Sequence, residues 1–246
     1  MTFYKISSVE TVAKALAETI KQHLAAGEQV FWLVSGGSSI AVASLASKLL
    51  APWNARPGRA GMADSTGLAG APLDKLVVSL TDERFGPIGH TDSNWRQLNM
   101  AGFELPRAKL LPILGGQDIE ATTEGFKRTL EQQLAAANYR IGLFGIGNDG
   151  HTAGILPNSL AASSAELAAC YDADPRSGSG ASFTRITITP KGIARLDEAV
   201  AYATGEAKHP ALNQLEQVLP LAQQPAQALK TAKKFSVYND YKGEPL

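Results

Sequence analysis

The run Val30-Phe31-Trp32-Leu33-Val34, followed at once by Ser35-Gly36-Gly37-Ser38-Ser39 and then by Ile40 to Leu50, decides how this sequence folds. The first five residues are apolar without alternation and rich in strand formers, which describes a strand buried on both faces. The glycines stop it abruptly, and an apolar pattern at helical spacing then resumes. Strand, glycine turn and helix in direct succession are the beginning of an α/β fold with parallel strands.

The same rhythm extends outward. Upstream, Val9, Val12, Ala13, Leu16, Ile20 and Leu24 recur at three- and four-residue spacing and predict a helix, with Ser7 and Glu10 as a capping box and Gly27 as its stop. Downstream, residues 51–72 are rich in Gly, Pro and Ala and lack periodicity, which reads as a surface insertion. Leu76–Leu80, Lys109–Ile113, Arg140–Phe144, Arg185–Thr189, Ala199–Ala203 and Phe235–Tyr238 read as further strands. Helices are predicted from Asp118 to about Ala136, from Thr189-Pro190 onward and from about Pro210 to Leu219. Strands that are mostly apolar throughout and alternate with helices predict one Rossmann-like domain over residues 1–246: a mainly parallel sheet with helices on both faces.

Composition narrows the function. Lysine plus arginine and aspartate plus glutamate both number 23, so the formal charge is zero, which argues against nucleic acid or an anionic membrane as partner. Cys170 is the only cysteine, which excludes an internal disulfide and CxxC metal sites. No basic stretch leads into a long apolar segment at the N-terminus, and no apolar run is long enough to span a bilayer, so a cytoplasmic protein is expected.

Four polar clusters follow directly on predicted strands: Ser35–Ser39, Thr81–Arg84, Gly147–Thr152 and Gly205–Lys208. In an open parallel sheet, ligands bind beyond the carboxyl ends of the strands, so the four clusters should meet at one rim. Gly36, Gly37, Ser38 and Ser39 suit an anion such as phosphate, because glycine exposes backbone N–H groups and the helix start adds positive potential. A plain βα turn has a similar composition. Arg84 has the geometry for a bidentate grip on phosphate, and Asp82 for orienting a hydroxyl or a proton-transfer group, although three charges in a row also suit a solvated loop.

Gly145-Ile146-Gly147-Asn148-Asp149-Gly150-His151-Thr152 concentrates a carboxylate and an imidazole in a glycine-rich loop. A histidine moves protons near neutral pH, and Asp149 is near enough to fix its tautomer or to cap a turn. The bland reading is an Asp-Gly turn beside a surface histidine. His23, His90 and His209 carry less signal. No GxxxxGK[ST], spaced GxGxxG, HExxH, EF-hand or GxSxG pattern occurs, so neither a nucleotide, a metal nor a serine nucleophile is expected.

Six pieces occur in order: Ser35–Ser39, Thr81–Arg84, Asp92-Ser93-Asn94, Gly145–Pro157, Arg185–Thr189 and Gly205–Lys208. Together they resemble the 6-phosphogluconolactonases, which form a superfamily with the glucosamine-6-phosphate deaminases, and the resemblance runs from about residue 5 to 240. It implies a three-layer αβα sandwich that hydrolyses 6-phospho-D-glucono-1,5-lactone to 6-phosphogluconate in the oxidative pentose phosphate pathway, without metal or organic cofactor. By motif, His151 is the proton-transfer residue, and Asp82 and Asp149 match the acidic active-site positions. Ser38, Ser39, Arg84, Arg185 and Lys208 match the phosphate-binding neighbourhood, and Asn94 belongs to the substrate-binding set.

The deaminases resemble GHIAFNEP where this chain reads Gly150 to Pro157, so their proton-moving Glu falls on Leu156. Leucine transfers no proton, which argues against a deaminase or isomerase. A sugar-phosphate sensor on a similar sandwich is the non-enzymatic alternative, and the intact Asp149-Gly150-His151 cluster argues against it. Gly154-Ile155-Leu156 and Ser39-Ile40 depart from the usual lactonase pattern of Ser-Leu-Phe and Thr-Pro, which bears on substrate detail more than on reaction type.

Overall fold

The computed structural model describes residues 1–54, 73–173 and 183–246. Eleven strands are present among them: β1 (Thr2–Lys5), β2 (Val30–Val34), β3 (Leu76–Leu80), β4 (Asp82–Arg84), β5 (Lys109–Leu111), β6 (Tyr139–Gly145), β7 (Ala168–Asp172), β8 (Thr184–Ile188), β9 (Glu198–Ala203), β10 (Lys234–Asn239) and β11 (Glu244–Pro245). The helices are α1 (Val9–Ala25), α2 (Ser39–Leu50), α3 (Asn94–Met100), α4 (Ile119–Ala136), α5 (Pro190–Ile193) and α6 (His209–Leu215).

Eight strands form one sheet in the order β11-β1-β10-β9-β6-β2-β3-β5, and every pairing in it is parallel. The β2 residues are all fully buried, as their unbroken apolar run requires. Right-handed crossovers place α1, α2 and α3 on one face, because the chain moves in one direction from β1 to β5, and α4, α5 and α6 on the other, because it then moves back from β5 to β10. The packing of α1 on α2 and of α2 on α3 agrees with this. The sheet is thus flanked by helices, an α/β fold.

The reversal has a consequence. After β2 the chain turns towards β3, and after β6 it turns the opposite way, towards β9. Neighbouring strands whose following loops diverge leave a crevice at their carboxyl ends. That crevice lies between Ser35–Ser38 and Gly145–Gly147.

A second sheet, β4-β8-β7, is antiparallel and stands at the same rim, since β4 follows β3 after the single residue Thr81. It was not anticipated: Asp82-Glu83-Arg84 has the composition of a loop, yet tertiary pairing with β8 makes it a strand with Asp82 opposite Thr187, Glu83 opposite Ile186 and Arg84 opposite Arg185. Strands β1, β7 and β11 likewise carry little sequence signal, being short and only partly apolar.

Local signals fare unevenly. Asp118 caps α4 by accepting the Ala121 N–H at 2.7 Å, worth about 1 kcal/mol. Thr189 caps α5, but that helix lasts a single turn, and α6 stops at Leu215, short of the predicted Leu219. The capping box at Ser7 is absent; Ser8 is the N-cap and makes no capping bond. At the other end of α1 the prediction holds, with Gly27 N–H donating to Leu24 and Glu28 N–H to His23, a Schellman closure. Of the supposed insertion, residues 51–54 form a 3-10 turn, and 55–72 lie outside the described residues.

Candidate active site

A cavity of about 470 Å³ opens at the crevice, lined by all four strand-end clusters. Ser35, Gly36, Gly37 and Ser38 come from the β2–α2 turn. Asp82, Arg84, Asn94 and Arg185 come from the small sheet and the start of α3. Gly147, Asn148 and His151 come from the loop after β6, and Lys208 from the loop after β9.

The small sheet sorts charge by its pleat. Asp82 and Arg84 are two apart and share one face; Arg185, opposite Arg84, lies on that face too. All three line the cavity, while Glu83 points the other way. Two arginines directly opposite each other repel, so their pairing disfavours the empty site and suits an anion. Arg185 is 6% exposed and its Nη1 lies 3.9 Å from Asp82 Oδ2, and Nε of both arginines is buried without a hydrogen-bond partner among the described residues. Donors left open in this way are available to a bidentate acceptor.

Glu83 anchors this wall. It is fully buried and accepts from Arg84 N–H (2.8 Å), Asn94 N–H (2.7 Å), Trp95 N–H (3.0 Å) and Ser93 Oγ–H (2.9 Å), so it holds the N-terminus of α3 against β4. Burial pushes its carboxyl above the usual range, against the pull of those four donors. Asn94 then takes a fixed pose: its amide oxygen accepts from Arg84 Nη1 at 2.6 Å and its NH₂ donates to the Asp82 carbonyl at 2.9 Å. Gly36 makes room for it, since a Cβ there would fall 2.0 Å from Asn94 Oδ1. That role needs spatial information, and nothing in the sequence links residues 36 and 94 beyond their presence in the motif set.

On the opposite side, Asp149 Oδ1 lies 2.6 Å from His151 Nδ1 and also accepts the His151 backbone N–H at 3.0 Å. Both roles considered for Asp149, turn cap and tautomer setter, are filled by one oxygen. Burial would raise the Asp149 carboxyl, but the hydrogen bond and charge of His151 outweigh it and hold the group below its ordinary value. An ionised Asp149 makes Nδ1 the protonated nitrogen, so the lone pair sits on Nε2. Asp149 itself stands behind His151 and is not part of the cavity wall. Gly147 is the steric condition for the pair, as a Cβ there would fall 2.1 Å from Nδ1 and 2.6 Å from Asp149 Oδ1.

At the β2–α2 turn the two serines part ways. Ser38 lines the cavity, and its Oγ is 3.4 Å from Lys208 Nζ. Ser39, at the first position of α2, is fully buried; its hydroxyl has no hydrogen-bond partner among the described residues, and it does not line the cavity. Burial lowers the Lys208 ammonium pKa, and the charge of Asp240 opposes that shift. The arrangement therefore combines one histidine with an available lone pair, one helix start and three cations around a single cavity.

Residues 5–237 match the family model described as glucosamine-6-phosphate isomerases/6-phosphogluconolactonase. A 6-phosphogluconolactonase of Caulobacter vibrioides is 29% identical over 208 residues, 77% of this chain and 86% of its own. The crystal structure of a 6-phosphogluconolactonase from Thermotoga maritima has the same fold, with a TM-score of 0.74 at 18% identity over 97% of this chain and 99% of that one. A monomeric glucosamine-6-phosphate deaminase is nearly as similar in backbone, with a TM-score of 0.72 at 15% identity over 98% of each chain. Lactonase and deaminase thus share the fold, and the side chains at the rim must separate them. No helix among the described residues is long and apolar enough to cross a membrane.

Proposed function

The chain belongs to the glucosamine-6-phosphate isomerase/6-phosphogluconolactonase family, and from that premise we propose that it hydrolyses 6-phospho-D-glucono-1,5-lactone to 6-phospho-D-gluconate in the oxidative pentose phosphate pathway. The observation that carries this reading is the Asp149–His151 pair facing a cavity walled by Arg84, Arg185 and Lys208. A base and a phosphate-sized cationic surface around one cavity are what a phosphorylated lactone requires.

In the proposed mechanism, water lies between His151 Nε2 and the lactone carbonyl carbon. Nε2 takes its proton as the oxygen attacks, and Asp149 stabilises the resulting imidazolium. Backbone N–H groups of the glycine turns stabilise the oxyanion. Collapse of the tetrahedral intermediate breaks the bond to the ring oxygen, which receives the proton from Nε2. Ser38, Lys208 and the start of α2, with the field of Arg84 and Arg185, hold the phosphate remote from the carbonyl, so binding energy there fixes the reacting geometry. Asp82 and Asn94 order the arginine wall. No metal or organic cofactor enters these steps. The setting is cytoplasmic and the unit one domain, in keeping with a lone cysteine and a continuous α/β rhythm.

Leu156 separates this from the deaminase reaction. It stands at the position of the deaminase Glu, is 2% exposed, and offers no group that titrates. The test is a paired assay on one preparation: hydrolysis of freshly generated lactone above the spontaneous rate, and ammonia release from glucosamine 6-phosphate. The proposal requires the first and not the second; the reverse outcome would replace it.

A further inference from the structure

Lys208 reaches the cavity from a loop whose conformation is set by a residue outside it. Gly205 has φ +103 and ψ 137, and a Cβ added there would meet none of the described residues within 4 Å. Glycine is therefore required by backbone angle, not by crowding, and glycine alone leaves the angle undetermined. The angle is held by Asp240, whose Oδ2 accepts the Gly205 N–H at 2.9 Å. Gly205 C=O then accepts the Lys208 N–H at 2.9 Å and closes the 3-10 turn Glu206–Lys208.

The other Asp240 oxygen lies 3.5 Å from His209 Nε2, and the His209 ring stacks on Tyr241 with centroids 4.1 Å apart. Asp240 thus brackets Lys208 on both sides in sequence. It is itself placed firmly. It directly follows β10, and the preceding Asn239 is fully buried, its Oδ1 accepting the N–H groups of Tyr241 and Lys242. β10 pairs with β9, so Asp240 and Gly205 leave adjacent strand ends side by side. Lys242 Nζ donates to Glu216 Oε2 at 2.6 Å and ties the same turn to the end of α6. Asp240 also supplies the negative charge that opposes the effect of burial on Lys208.

We propose that Asp240 is the positioning residue for the phosphate grip of this site: it fixes the 205–209 loop so that Lys208 meets Ser38 and the start of α2. This rests on the phosphate being held by Lys208, as in the proposed function. Asp240 touches no reacting atom, so its loss should weaken binding of the phosphorylated end and spare the chemical step.

The test compares Asp240→Asn, Lys208→Met and the double variant, each checked by thermal melting. Inorganic phosphate is titrated into each, and hydrolysis is measured on phosphorylated lactone and on unphosphorylated glucono-1,5-lactone. Asp240→Asn should raise KM for the phosphorylated lactone and weaken inorganic phosphate by about tenfold, with kcat changed by less than about threefold. The rate on the unphosphorylated lactone should not move, and Asp240→Asn should add nothing in the Lys208→Met background. Equal losses on both lactones, additive effects in the double variant, or unchanged phosphate affinity would overturn the proposal. Should Asp240→Asn melt early, Asp240→Glu, which keeps the charge, must restore KM and phosphate affinity together or the proposal fails. A wild type whose phosphate affinity falls in Asp240→Asn and Lys208→Met as predicted, yet which hydrolyses neither lactone, would refute the lactonase reading and leave the positioning role standing.

Discussion

Replacing Gly147 by alanine should disable the site with little effect on the fold. The φ of Gly147 is not positive, so alanine brings no backbone strain. The added Cβ would sit 2.1 Å from His151 Nδ1, 2.3 Å from Cε1 and 2.6 Å from Asp149 Oδ1. Carbon contacts in packed proteins settle at about 3.5–4.0 Å, so the imidazole must retreat by more than about 1 Å. Because the same Cβ crowds both partners, the 2.6 Å contact between His151 and Asp149 cannot keep its present position. A displacement of that size at a reacting group costs about 10²-fold in rate, or about 2.7 kcal/mol of transition-state stabilisation. Overpacking should lower stability by about 1–3 kcal/mol, which leaves the protein folded at 25 °C. The assay is initial-rate hydrolysis of fresh 6-phosphogluconolactone, corrected for spontaneous hydrolysis, beside a urea melt. A folded Gly147→Ala variant with kcat within threefold of wild type would show that the Asp149–His151 geometry does not matter.

Asp149→Asn should lower kcat by about 10²–10⁴-fold through loss of the fixed tautomer, read by the same assay. Its stability effect carries a pH signature. The folded Asp149 carboxyl lies below its ordinary value, so its contribution is complete above about pH 5 and vanishes as pH falls through the folded pKa; the stability gap to Asp149→Asn should close below about pH 4 in acid melts. Arg185→Met should raise KM by about 10–100-fold and alter kcat less, since it removes a charged donor from the cavity wall. Glu83→Leu strands four donors at once and should cost on the order of 3 kcal/mol or more in denaturant melts, a structural loss that phosphate cannot rescue fully.

How far the sequence could be read depended on where each residue's environment comes from. β2, β3, β6 and β9 were visible because burial of most of their residues imposes largely apolar runs, unbroken in β2, and the rim followed from where those runs end. β4 was not visible, since three polar residues become a strand only by pairing with β8, about a hundred positions later. The same pairing sets Arg84 against Arg185, a juxtaposition that local pattern does not encode. His151 and Asp149 were legible as neighbours in a glycine loop. The contribution of Gly36 and Gly147 was not, because it consists of space left for Asn94 and for the His–Asp pair. Ser38 and Ser39 are equivalent in composition, and only the first turn of α2 decides which hydroxyl faces the cavity. Asp240 lies outside every motif, and it meets Gly205 because β9 and β10 are adjacent.

The central claim is that His151, oriented by Asp149, carries the proton in lactone hydrolysis. It is tested most directly by the rate on freshly generated 6-phosphogluconolactone for wild type and His151→Ala, each corrected for spontaneous hydrolysis and matched for folding. The account predicts strong acceleration by wild type and a fall in kcat of about 10²–10⁴-fold in the variant, with KM little changed. A folded His151→Ala protein that keeps the wild-type rate, or a folded wild type that does not accelerate hydrolysis, would contradict it.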